Sequence, residues 1–149
     1  MPPTATLVVP AEVIDAVLAH TAREVPLEAC GLLVGRGCQV ARAFATPNAA
    51  ASPVRYEIQP DAHFAVIREA RRAGLEVIGA YHSHPASPAV PSPTDREGAF
   101  PDFVFLIAAL TPSPHVRGWR LLDGNFTEVS LVRTGGAEGP SSPAASEDA

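Results

Sequence analysis

Apolar positions recur along the chain with two alternating periods. Val13, Ile14, Val17, Leu18 and Thr21 follow Pro10 at helical spacing and predict an amphipathic helix over 11–24. Leu32–Val34 reads as a strand, Gly35-Arg36-Gly37 as a tight hairpin turn and Cys38–Ala45 as the returning strand. Thr46–Pro53, rich in Ala, Pro and Asn, reads as a loop, and Arg55–Ile58 as a short strand. Asp61, after Pro60, is expected to cap a second helix whose apolar face carries Phe64, Ile67 and Ala70 and which Gly74 ends. Leu75–Ser83 reads as a buried strand and Pro85–Pro91 as a Pro- and Ser-rich loop. Ser92-Pro93-Thr94-Asp95 places Ser at the N-cap, Pro at N1 and Asp at N3 of a third helix. Phe103–Leu110, Val116–Leu122 and Thr127–Val132 read as three more strands, the last two joined by a turn at Asp123-Gly124-Asn125. Thr134–Ala149 has no periodicity and is expected to be a disordered tail. This order predicts an α/β fold over 1–133, a sandwich of a mixed β-sheet flanked by helices.

Composition narrows the classes. The chain has 149 residues, 46% of them apolar and 18% charged, which suits one folded domain. A large α/β barrel needs about 250 residues and is excluded. The net charge of −5 and a pI of about 5.4 argue against a nucleic-acid partner. Two cysteines, Cys30 and Cys38, exclude a disulfide framework and a four-thiolate zinc site. All eleven basic residues are arginine, as a GC-rich genome would favour; a chain without lysine also offers no side-chain amine for conjugation. No basic residue precedes Arg23, and Phe103–Leu110 is far short of the roughly 18–20 apolar residues of a membrane span. A cytoplasmic protein with no membrane contact is therefore expected.

The chemistry concentrates in Tyr81-His82-Ser83-His84-Pro85 and Ser92-Pro93-Thr94-Asp95. His82 and His84 are two apart at a strand end, so both imidazoles point to one face. Asp95 lies eleven residues on, at a helix start, within reach of a returning loop. Two imidazoles and a carboxylate, with water as the fourth ligand, form a standard set for catalytic zinc. The same spacing also fits a plain capping box, in which Asp95 faces the helix backbone instead of a metal. One carboxylate oxygen cannot fill both roles fully.

His82-x-His84-Pro85, seven residues, then Ser92-x-x-Asp95 resembles the zinc-binding motif of the JAMM (MPN+) metalloprotease family. Upstream, Glu28-Ala29-Cys30-Gly31-Leu32-Leu33-Val34-Gly35 is similar to that family's Glu-x-Cys-Gly-Leu-Leu-x-Gly stretch. Arg55-Tyr56-Glu57-Ile58 also falls where its compact prokaryotic members have it, so the resemblance covers about residues 8–133. It implies a cytidine-deaminase-like α-β-α sandwich, with His82, His84 and Asp95 as ligands of one zinc ion. It implies that Glu28 holds the zinc-bound water and is general base and then acid. It implies that Ser92 donates to the oxyanion, although a pure cap remains a second reading of Ser92.

The activity so implied is zinc-dependent hydrolysis of peptide or isopeptide bonds, deubiquitinase-like, after the C-terminal Gly-Gly of a ubiquitin-like protein. Short loops favour a sulfur-carrier protein or its conjugates over a ubiquitin chain. The extended tail of such a partner would lie as an added strand beside the sheet. The alternative is a non-catalytic MPN scaffold or binding domain, which would lack ligands that this chain has. A zinc deaminase would need His-x-Glu and Pro-Cys-x-x-Cys, and neither occurs. Cys30 and Trp119 read as core residues, and His20, His63 and His115 as surface residues without ligand partners.

Overall fold

The computed structural model describes residues 6–135. Ten elements run in the order β1 (Thr6–Pro10), α1 (Ala11–Glu24), β2 (Cys30–Arg36), β3 (Gln39–Thr46), α2 (Pro60–Arg72), β4 (Glu76–His84), α3 (Pro93–Gly98), β5 (Val104–Ala109), β6 (His115–Leu122) and β7 (Asn125–Thr134). The strands form one mixed sheet in the order β1-β3-β2-β4-β5-β6-β7, which closes because β1 also pairs in parallel with β7. β4 and β5 are parallel, whereas β2 is antiparallel to both β3 and β4.

Side-chain alternation along the central strands separates two cores. Leu33, Tyr81, Val104, Leu106 and Ala108 join Val13, Ile14 and Val17 of α1 in one cluster. Leu32, Val34, Ala80, Phe105, Ile107 and Ala109 join Val66 and Ala70 of α2 in the other. The fold is thus α/β with a mixed sheet and packed helices, as the pattern predicts.

Several elements differ from expectation. β1 is absent from the predicted set: five residues ending in proline carry too little pattern, and pairing with β7 makes them a strand. Arg55–Ile58 is not a strand. Its backbone bonds go to two loop residues: the Asn48 side chain takes the Glu57 N–H and reaches the Arg55 carbonyl, and the Ala49 N–H donates to the Glu57 carbonyl. Pro60, not a residue after Asp61, opens α2, with Gln59 at the N-cap; proline's fixed φ and missing N–H suit N1. Phe64 is 59% exposed, and Val66 and Ala70 form the buried face. The first hairpin turns at Gly37-Cys38, since β2 continues to Arg36, which pairs with Gln39. The turn at Asp123-Gly124 has positive φ at both residues, as a type I′ hairpin requires. His20 is buried, its Nδ1 2.7 Å from the Tyr81 hydroxyl, so the surface expectation fails there. His63 and His115 are half-buried, while Cys30 and Trp119 lie in the interior as expected. Of the expected tail, Thr134 is the last residue of β7, and residues 136–149 lie outside those described.

Gly31 marks a close approach beside Glu28 and Cys30. A Cβ there would lie 2.3 Å from the Phe44 carbonyl oxygen and 2.3 Å from the Tyr81 ring. Both neighbours are fixed in the sheet, so neither can yield cheaply. Gly31→Ala is expected to destabilise the fold by about 1–3 kcal/mol, the usual scale for overpacking. Urea denaturation checks this, and an unchanged midpoint would show that the ring moves freely.

Candidate functional site

β4 runs through His84, and its alternation sends His82 and His84 to the face that carries Ala80, away from Tyr81 and Ser83. Both imidazoles are buried, at 2% and 5% exposure. The loop after β4 returns because it is pinned twice. Pro88 offers its carbonyl to His84 Nδ1 at 2.7 Å, and Ala89 offers its carbonyl to the Trp119 indole N–H at 3.1 Å. α3 then starts at Ser92, whose Oγ accepts the Asp95 N–H at 3.1 Å, while Asp95 Oδ2 accepts the Ser92 N–H at 2.9 Å. The capping box is therefore real.

It does not remove Asp95 from the histidines. Asp95 Oδ2 lies 3.0 Å from His84 Nε2, and Oδ1 lies 3.1 Å from His82 Nε2. The carboxylate divides the two roles between its oxygens: Oδ2 serves the cap, and Oδ1 is left over. One ligand atom from each of His82, His84 and Asp95 can be chosen so that all lie within 4.8 Å of one another, so this trio could hold a metal ion.

The donor chemistry fits a cation. A carbonyl only accepts, so His84 Nδ1 carries the proton toward Pro88, and in the neutral ring Nε2 is a lone pair facing Oδ2. His82 Nε2 and Asp95 Oδ1 face each other without hydrogen-bond geometry and have no partner among the described residues. Glu28 Oε1 is likewise buried and without a partner among them. Buried polar atoms left so cost about 1–3 kcal/mol each, and a cation held by the trio would satisfy His82 Nε2 and Asp95 Oδ1.

Glu28 stands just before β2, which pairs Cys30 with His82. Its backbone is held from three sides. Its N–H donates to the Ser52 carbonyl, its carbonyl accepts from the Asn48 amide, and the next N–H, of Ala29, donates to Ser83 Oγ at 2.8 Å. Burial pushes the Glu28 carboxyl up to about 8; His84 opposes that rise and Asp95 adds to it, so both lie within charge range. Burial also disfavours charge on Asp95, yet the two imidazoles beside it hold its carboxyl well below the usual range. Burial depresses His82. Burial works against the charged form of His84 too, but Asp95 and the Pro88 carbonyl raise it above its ordinary value.

The structure thus brings His82, His84, Asp95, Ser92 and Glu28 together. It adds Asn48, Ser83 and Tyr56, which sequence reasoning missed. Tyr56 stacks on His82, and its segment walls an apolar cavity of about 220 Å³ that reaches Asp95 and is lined also by Leu32, Ala80, Phe100 and Phe105.

The model of the prokaryotic homologues of the JAB domain matches residues 10–122. This chain belongs to that family. Curated relatives agree along most of their length. A desampylase of Haloferax volcanii is 36% identical over 126 residues, 79% of this chain and 89% of the relative. A CysO-cysteine peptidase of Mycobacterium tuberculosis is 34% identical, covering 82% and 87%. A probable TtuB-protein conjugate cleaving protease of Thermus thermophilus is 40% identical, covering 85% and 82%. The solution structure of a Desulfitobacterium hafniense protein superposes with a TM-score of 0.79 at 29% identity, over 89% of this chain and 95% of that one. A Salinibacter ruber structure gives 0.67 at 29%, over 93% and 95%. The JAB-domain chain is accordingly an enzyme of the JAMM peptidase class.

The raised Glu28 value makes a statement about stability in the metal-free JAB-domain chain. The folded carboxyl keeps its proton over a window in which the unfolded one, near 4.5, has lost it. Its contribution is complete below that value and is lost as pH rises through about 8. Metal-stripped protein should therefore lose stability between about pH 4.5 and pH 8, and Glu28→Gln should lose less. The gap should grow to a few kcal/mol, at about 1.4 kcal/mol per unit. Denaturant midpoints across pH measure it; parallel curves for the two proteins would contradict the assignment.

Proposed function

We propose that this chain is a zinc-dependent hydrolase that cleaves the peptide or isopeptide bond after the C-terminal Gly-Gly of a ubiquitin-like sulfur-carrier protein. The observation that carries this reading is the buried trio of His82, His84 and Asp95, in which His82 Nε2 and Asp95 Oδ1 face each other unpartnered, with the unpartnered Glu28 Oε1 buried as well. The names of the relatives, a desampylase, a CysO-cysteine peptidase and a TtuB-conjugate cleaving protease, support the substrate class.

His82, His84 and Asp95 would hold one zinc ion. Zinc, when bound, supplies a Lewis acid that polarises the scissile carbonyl and makes hydroxide available near neutral pH. Glu28 takes the proton from the attacking water and returns it to the leaving amine. Burial raises this carboxyl in the site without its cation, and the charge of a bound zinc would oppose that rise, which suits Glu28 both to take a proton and to give it back. Ser92 uses an oxygen lone pair for the Asp95 N–H, so its hydroxyl proton stays free for the oxyanion. Capping and catalysis are compatible for this residue.

The same reading takes residues 1–133 as the catalytic domain and the fold as an α-β-α sandwich. The packing of α1 and α2 in separate clusters supports the latter. Among the described residues no helix is long and apolar enough to cross a membrane, and Cys30 and Cys38 are free. Free thiols favour a reducing compartment such as the cytoplasm.

Elemental analysis of the purified protein should find about one zinc per chain, and His84→Ala should lose it. Zinc retained tightly by His84→Ala would remove this residue from the ligand set. Glu28→Gln should keep zinc and lose hydrolysis of a Gly-Gly-terminated carrier fusion by about 10²–10⁴-fold. Normal turnover in that variant would sink the assignment of Glu28.

A further inference from the structure

The two histidines of the site are held differently. A metal-ligating histidine ordinarily gives its second ring nitrogen to an acceptor that fixes the ring. His84 obeys this rule through the Pro88 carbonyl, 2.7 Å from Nδ1. His82 does not: its Nδ1 is buried with no partner among the described residues. Instead, the Tyr56 ring lies flat on the His82 imidazole, with centroids 4.4 Å apart and planes 18° from parallel. On another side the His84 ring meets His82 edge-on, at 5.0 Å and 61°.

Tyr56 belongs to no helix or strand, so something must hold it. Asn48 does. Its Nδ2 donates to the carbonyls of Glu28 and Arg55, at 3.1 and 3.0 Å. Its Oδ1 accepts the N–H groups of Ala50 and Glu57, both at 3.0 Å. Two donors and two acceptors exhaust the amide's capacity. Two of these bonds go to the immediate neighbours of Tyr56, and a third to the backbone of Glu28.

We infer that Tyr56 is a positioning residue for His82, its ring standing in for the missing hydrogen-bond partner, and that Asn48 locks Tyr56 and Glu28 into one register. This rests on the reading of His82 as a zinc ligand. The ring carries the role and the hydroxyl does not, because orientation here comes from stacking.

The test uses the full chain with its zinc affinity measured by chelator competition, and the visible spectrum of the cobalt-substituted protein as a second readout. Tyr56→Phe should bind zinc within about twofold of the parent, whereas Tyr56→Leu should weaken binding about 10–100-fold, the usual cost of losing support behind a ligand. Tyr56→Leu should also change the cobalt spectrum, which Tyr56→Phe should leave intact. Asn48→Ala, which keeps the ring but frees the loop, should shift affinity in the same direction as Tyr56→Leu and serves if that variant folds poorly. Parent-like affinity and spectrum in Tyr56→Leu and Asn48→Ala would overturn the inference while leaving the zinc site standing. Equal losses in Tyr56→Phe and Tyr56→Leu would overturn it by placing the role on the hydroxyl. Absence of zinc binding by the parent would fell the proposed function and this inference together.

Discussion

Asp95 has two carboxylate oxygens and three claims upon them: the first turn of α3, His84 and His82. The site depends on how these are met. Oδ2 takes the Ser92 N–H and stands against His84, so the carboxylate is tied to the helix start and cannot swing. Oδ1 is thereby aimed at His82 and left unsatisfied. A capping box normally uses its acid to finish a helix. Here the same geometry fixes the third point of a triangle whose other two points are on β4. A six-residue helix, too short to be stable by itself, is enough to deliver a carboxylate because its cap, its proline at N1 and its tether to His84 act on one turn.

The legible parts of this protein were those in which spacing alone decides geometry. His82 and His84 share a face because strand alternation allows nothing else, and Ser92-Pro93-x-Asp95 opens a helix because each residue suits its place. What spacing left open was whether Asp95 caps or binds. That question turned on the two oxygens of one side chain, which no pattern encodes. Asn48 was illegible for another reason. A lone asparagine in a loop of Ala, Pro and Ser carries no signal, and its four partners are between two and twenty residues away. The extended segment 55–58 was misread as a strand because its β-like residues are held by a side chain instead of a sheet. His20 was misread because its partner, the Tyr81 hydroxyl, lies sixty-one residues along the chain.

The Glu28-x-Cys30-Gly31 stretch gains a physical reason beyond its glutamate. Cys30 faces His82 across the β2–β4 ladder and packs against Thr46, so a small side chain fits there. Burial pushes its thiol up to about 11, which makes it filler and not a nucleophile at neutral pH. Gly31 leaves room for the Tyr81 ring, which His20 holds from α1. Glu28 is thus followed by a cysteine and a glycine whose small size lets β2 and β4 approach on the side of the histidines.

β4 shows why stability and chemistry are hard to separate in this fold. Tyr81 and Ser83 point one way, into the α1 core and onto the Ala29 N–H; His82 and His84 point the other, into the site. Moving the strand by one residue would exchange these faces, burying imidazoles in an apolar core and taking them from the site. The register is fixed by six pairs with β5 and by the ladder to β2, so the core determines where the two imidazoles stand. The site in turn strains the core, since buried lone pairs and a carboxyl forced to hold its proton are unfavourable without a cation. A bound metal would remove that cost and return binding energy to the fold.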